Sequence, residues 1–196
     1  MSYSFSYDVI ILAGGLSSRF GSDKCCFEVN SKTMLERLVE QFDYPIIVSR
    51  SPRRVSKGIL VLENGEYKGP IKGVKEGLNY VNKNRVFITG CDFPFLTKNL
   101  VEYLCNKPYD IVMPIDEEPQ PLLGCYSTRF LEENIDKVNR LFDLIRLSSS
   151  VYLVGTDELM KIDPSLYSLI NVNRITDFIY KPIRIKTVTK IIINIT

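Results

Sequence analysis

The stretch Ile11-Leu12-Ala13-Gly14-Gly15-Leu16-Ser17-Ser18-Arg19-Phe20-Gly21-Ser22-Asp23-Lys24 runs from an apolar segment into a glycine-rich loop that carries an arginine and ends in a lysine. Gly14, Gly15 and Gly21 let backbone approach an anion closely. Hydroxyls such as that of Ser17 and successive amide N–H groups can line a concavity, and Arg19 and Lys24 supply positive charge to phosphate oxygens. Those residue types suit phosphoryl or nucleotidyl transfer. The Gly-Lys-Ser/Thr of a P-loop and the alternating glycines of a dinucleotide fingerprint are both absent.

A second signal is Thr89-Gly90-Cys91-Asp92-Phe93-Pro94-Phe95, a strand-like run that ends in a single carboxylate before a proline. An Asp at the carboxyl end of a strand faces the crevice where α/β sheets bind ligands, and there it can hold a hard cation against phosphates. The chain has no histidine, so a His-based triad, an imidazole base and a His-ligated metal are excluded. A metal here must take oxygen ligands, which favours Mg²⁺, with Asp92 as its protein ligand.

The elements that must position these groups alternate along the chain. Apolar, β-type runs occupy residues 7–13, 45–49, 58–62, 85–90 and 109–115, and residues 122–126 re-enter the sheet. Helical periodicity marks residues 33–42 behind a Thr33/Glu36 capping box, residues 71–81 entered through Gly69-Pro70, and a helix capped by Thr97 through Leu104. Leu131, Ile135, Val138, Leu141, Phe142 and Ile145 predict one long amphipathic stripe from about residue 128. Residues 114–121 read as an exposed acidic loop or hairpin, and the β-branched, basic residues 182–196 as an added edge strand or contact surface. The alternation predicts an α/β fold with a mostly parallel sheet, helices on both faces, and a ligand outside the carboxyl ends of the strands.

Composition narrows the class. A chain of 196 residues, 45% hydrophobic, 24% charged and with net charge +2, predicts one globular domain over residues 1–196, without the basic field that would favour nucleic acid. No apolar run reaches the ~18 residues of a membrane span, and no secretory signal precedes residue 7, so a cytoplasmic protein without membrane contact is expected. Cys25, Cys26, Cys91, Cys105 and Cys125 are odd in number and lack C-x-x-C spacing, so they are read as reduced, mostly buried side chains.

The first loop resembles L-A-G-G-x-x-x-R-x-G-x-D-K, the signature of the MobA-like nucleotidyltransferases, and within them most closely the molybdenum cofactor guanylyltransferases. Cys91-Asp92-Phe93-Pro94-Phe95 resembles their C-D-x-P-F, Gly69-Pro70-Ile71-Lys72-Gly73 their G-P-L-A-G, and Asn171-Val172-Asn173 their N-x-N-T. The likeness runs from Ile10 to about Phe178 in the family's motif order. It implies a three-layer, Rossmann-like nucleotidyltransferase fold of the nucleotide-diphospho-sugar transferase type. It also implies GTP and Mo-molybdopterin as substrates, Mg²⁺ as cofactor, and a molybdoenzyme or cofactor-biosynthesis protein as partner. Carried over residue by residue, Arg19, Lys24 and Asp92 are the catalytic group. Leu12, Ala13, Gly14, Gly15, Ser17, Gly21, Lys24, Glu63, Gly69, Pro70 and Asp92 border the nucleotide, and Gln120, Pro121, Asn171 and Asn173 the acceptor. Gly15 favours guanine, because the related cytidylyltransferases more often read L-A-A-G. Phe20, Ser49, Glu63 and Arg174 depart from the family's usual residues. Two alternatives stay open here: another nucleotidyltransferase (CTP-dependent molybdopterin, sugar-phosphate or cobinamide-phosphate), and a non-catalytic nucleotide or cofactor carrier.

Overall fold

Continuous apolar runs make strands buried on both faces, and the computed structural model, which describes residues 6–15, 23–65, 69–174, 176–177 and 191–194, gathers them into a central sheet. In chain order the sheet strands are β1 (Tyr7–Leu12), β4 (Ile46–Ser49), β5 (Ile59–Leu62), β6 (Arg85–Gly90), β7 (Ile111–Ile115), β8 (Leu123–Ser127), β9 (Ser150–Gly155) and β10 (Ile191–Asn194). Two short strands, β2 (Glu28–Val29) and β3 (Lys32–Thr33), form a separate hairpin. Among the described residues the sheet has eight strands in the order β10-β9-β7-β8-β6-β1-β4-β5. Neighbours are parallel except that β8 runs antiparallel between β6 and β7, and β10 antiparallel at the edge beside β9.

Alternation along the strands divides the core into two layers. Val9, Ile11 and Phe87 pack with Leu38 of α1 (Met34–Gln41) and Leu100 and Leu104 of α3 (Lys98–Cys105). Ile10, Val86 and Ile88 face Val74 of α2 (Pro70–Leu78) and Leu131 of α4 (Thr128–Asn134) on the other side. The expected three-layer arrangement with a mostly parallel sheet is therefore present. The Thr33/Glu36 capping box forms in both directions, and Thr97 caps α3 by accepting from the Leu100 amide. The acidic loop turns back on itself through a bridge between Ile115 and Pro119.

Two expectations need correction. The stripe from residue 128 is not one helix: α4 stops at Asn134, and 3₁₀ turns follow at Ile135–Lys137 and Leu141–Arg146. The Asn134 side chain donates to the Phe130 carbonyl at 2.9 Å, a local alternative to helical bonding, and Phe142 is left 38% exposed. β9, which follows directly, had not been anticipated, nor had α5 (Thr156–Leu159) or the β2–β3 hairpin. The hairpin turns at Asn30 and Ser31, both at positive φ.

The cysteines are not all reduced. Cys25 is bonded to Cys91 and Cys105 to Cys125, with Cα separations of 5.5 and 5.3 Å, and Cys26 is a free, exposed thiol. These pairs lie 66 and 20 residues apart in sequence, so no local spacing marks them. By chain entropy such closures stabilise by roughly 3 to 4 kcal/mol each. Among the described residues, no helix is long and apolar enough to cross a membrane.

Candidate nucleotide site

β1 and β6 pair in parallel with Leu12 opposite Gly90, so both strands end at the same level. The register is extended by the Cys91 amide, which donates to the Leu12 carbonyl at 3.1 Å. This shared end brings the glycine loop beside Asp92. A cleft of about 210 Å³ opens there, at the carboxyl ends of the parallel strands. Leu12, Gly14, Gly15, Lys24, Glu63, Gly69, Pro70 and Asp92 all line it, joined by Val48, Gly73, Gly90, Cys91 and Leu122.

Lys24 opens a single 3₁₀ turn, Lys24–Cys26, capped by Asp23, whose carboxylate accepts from the Cys25 amide at 3.1 Å. From that turn the ammonium reaches Asp92 at 2.8 Å, with the two side chains only 16% and 11% exposed. Gly90 makes room for this carboxylate: a Cβ on Gly90 would fall on Asp92 Oδ1. The Asp92 carbonyl accepts from the Val172 amide at 2.7 Å, which fastens residues 171–173 behind the same point.

Opposite this pair, Glu63 follows β5 and its amide donates to the Ser49 carbonyl at 2.8 Å. Its carboxyl is pushed above the usual range by burial, against the opposing charges of Lys72 and Arg50. Glu63 Oε1 is buried with no hydrogen-bond partner among the described residues. Gly69 has φ +79 where α2 begins, a conformation that suits glycine, and Pro70 starts the helix. Gly69, Pro70 and Gly73 bring the N-terminal end of α2 into the cleft wall.

Other predicted residues stand differently. Ala13 is fully buried beneath the cleft, and its carbonyl accepts from Arg53 at 2.9 Å. Gln120 and Pro121 lie in the turn between β7 and β8, next to the cleft residue Leu122. Asn171 and Asn173 flank Val172 outside the cleft lining, and the Asn173 amide donates to Asp177. Ser17, Arg19 and Gly21 lie outside the described residues. Arg53 had not been singled out, yet it ties the site's supports together: it bonds Ser49 Oγ at 2.9 Å, the Ala13 carbonyl, Cys26 Sγ at 3.0 Å and, as an ion pair, Asp23. Its only signal in the sequence is its place just beyond a strand end.

A glycine-lined cleft with a lysine–carboxylate pair at its centre and a helix N-terminus in its wall is equipped to hold an anionic ligand. Comparison with known proteins agrees. The MobA-like NTP transferase domain matches residues 9–147. A probable molybdenum cofactor guanylyltransferase from Methanosarcina acetivorans is 30% identical over 88% of this chain and 88% of its own length. Another of that name from Clostridium perfringens is 33% identical over 60% of this chain and 64% of its own length. The crystal structure of molybdopterin-guanine dinucleotide biosynthesis protein A from Archaeoglobus fulgidus, 23% identical, shares the fold with a TM-score of 0.70 over 87% of this chain and 94% of that one. With the family's domain spanning both the glycine loop and Asp92, the chain belongs to the MobA-like NTP transferase family and is a nucleotidyltransferase.

Proposed function

We propose that the chain transfers GMP from GTP to Mo-molybdopterin. A phosphate oxygen of the acceptor attacks the α-phosphorus, the bond from that phosphorus to the bridging oxygen breaks, and pyrophosphate leaves. The reaction brings two anions together and needs no covalent protein nucleophile, so positioning and charge neutralisation carry it. The observation that carries this reading is the Lys24–Asp92 pair at 2.8 Å, set where β1 and β6 end together beside Gly14 and Gly15.

Roles follow from position. The backbone at Gly14, Gly15 and Gly21 cradles phosphates, the N-terminus of α2 borders the base, and Lys24, with Arg19 from the same loop, neutralises charge. Ser17 adds a hydroxyl. Glu63 offers carboxylate oxygens to the N–H groups of guanine, a role supported by its buried Oε1, which has no partner among the described residues. Asp92 would hold Mg²⁺: it is a hard oxygen donor at the cleft, with space cleared for it at Gly90. When bound there, magnesium would supply Lewis-acid stabilisation of phosphate charge. Among the described residues no group of three or more metal-ligating side chains stands together, so the remaining ligands would come from phosphates and water. We place the acceptor on the side bounded by Gln120, Pro121, Asn171 and Asn173.

Calorimetric titration with GTP, CTP and ATP in Mg²⁺, followed by pyrophosphate detection with molybdopterin as acceptor, tests this reading. GTP-selective binding and acceptor-dependent pyrophosphate release are expected. Equal affinity for the three nucleotides would move the reading to another nucleotidyltransferase, and GTP binding without release to a carrier.

A further inference from the structure

The two residues at the centre of the cleft each have a cysteine as chain neighbour, and those cysteines are bonded to each other. Cys25 follows Lys24 in the 3₁₀ turn, Cys91 precedes Asp92 at the end of β6, and the disulfide holds their Cα atoms 5.5 Å apart. Both cysteines are 2% exposed, so the bond lies beneath the cleft floor, and Cys91 also lines the cleft.

We propose that the Cys25–Cys91 disulfide positions Lys24 against Asp92, so that the cleft's cation is held in place by a covalent tie under it. Lysine has a long, flexible stem, and holding its ammonium at one point costs rotamer freedom. A three-residue turn gives that stem a weak foundation, and the tie fixes the turn relative to the strand end that bears Asp92. The second disulfide is a built-in control. Cys105 and Cys125 join the end of α3 to β8, closing a loop of similar energetic weight, and neither residue lines the cleft. Any effect confined to the first bond therefore concerns position, not cross-linking in general. The proposal rests on the nucleotide reading only for its consequence in turnover; its geometric claim concerns Lys24 itself.

The test begins with alkylation of the denatured, unreduced chain by N-ethylmaleimide, which should modify one thiol, that of Cys26. Modification of Cys25 or Cys91 in that experiment would overturn the proposal. Lysine acetylation is then read residue by residue by mass spectrometry in folded wild type, the Cys25→Ala/Cys91→Ala variant and the Cys105→Ala/Cys125→Ala variant. Lys24 should be labelled at least about threefold faster in the first variant only, with Lys107 unchanged. Equal Lys24 labelling in all three proteins overturns the tie, whatever nucleotide is used. In turnover, the first variant should raise KM for GTP about tenfold. In a Lys24→Ala background the same two cysteine substitutions should add nothing further, whereas a merely structural role would add its cost in both backgrounds. Absence of GTP binding in the wild type would instead count against the proposed function, leaving the labelling result to decide the tie.

Discussion

Two lysine–carboxylate pairs in this molecule have nearly the same geometry and opposite surroundings. Lys24 and Asp92 meet at 2.8 Å, and Lys107 and Glu158 at 3.0 Å, each pair largely buried. Glu158, at the start of β9's following helix α5, also accepts from the hydroxyls of Tyr103 and of Tyr152, the latter at 2.6 Å, while Lys107 lies 4.3 Å from the Tyr103 ring centroid. Burial raises the Glu158 pKa, but the bonds from Tyr103, Tyr152 and Lys107 outweigh it and bring it down to about 2. That network closes on itself, and none of its residues lines the glycine-loop cleft. Lys24 and Asp92 open onto that cleft, which Glu63 also lines with a carboxylate oxygen that has no partner among the described residues. A buried ion pair that is fully satisfied holds elements together, whereas one facing a cleft keeps its capacity for a ligand.

The largest effect should come from the open pair. Asp92→Asn should lower GMP transfer about hundredfold and flatten the Mg²⁺ dependence of turnover, with the urea unfolding midpoint nearly unchanged. Gly90→Ala reaches the same carboxylate from below. A Cβ displaces Asp92, so transfer should fall by roughly thirtyfold while the strand keeps its pairing, checked by pyrophosphate release beside circular dichroism.

At the closed pair the expected loss is in stability. Glu158→Gln should cost about 2 kcal/mol at pH 7 and leave kcat near wild type. Because the folded carboxyl titrates below the ordinary 4.5, the network stabilises the fold above that pH and loses its contribution as pH falls from 4.5 toward 2. Denaturant midpoints measured across that window should drop more steeply in wild type than in Glu158→Gln.

Glu63 gives the smallest effect and the opposite sign. Burial holds its carboxyl above the usual range, so it takes up a proton at higher pH than Glu158 does. GTP affinity should weaken about tenfold in Glu63→Gln at neutral pH. In wild type it should also fall on the acid side, a step the variant lacks, readable by calorimetry at several pH values.

How far the sequence led differs between these regions for physical reasons. The glycine loop, Asp92 and Gly69-Pro70 were legible because each is contiguous, and the apolar runs of β1 and β6 showed which strands would carry the first two to a common edge. What gathers the rest is long-range. The Cys25–Cys91 bond, the reach of Arg53 to Asp23, Ser49 and Ala13, and the meeting of Tyr103, Lys107 and Glu158 all depend on packing between distant elements. The helix expected from residue 128 failed because its apolar stripe continues in period through Leu141 while Asn134 ends the helix by bonding backward. β9 was hidden behind that stripe, although its Val151-Tyr152-Leu153-Val154 run is as β-rich as β1.

The most direct test of the contrast is to measure Lys24→Ala and Lys107→Ala side by side, by acceptor-dependent pyrophosphate release from GTP and by urea unfolding. Lys24→Ala should lose about hundredfold in turnover with its unfolding midpoint preserved, and Lys107→Ala should lose about 2 kcal/mol of stability with turnover preserved. If Lys24→Ala retains wild-type turnover, or if both variants lose turnover and stability together, the assignment of the cleft as the site of nucleotidyl transfer is contradicted.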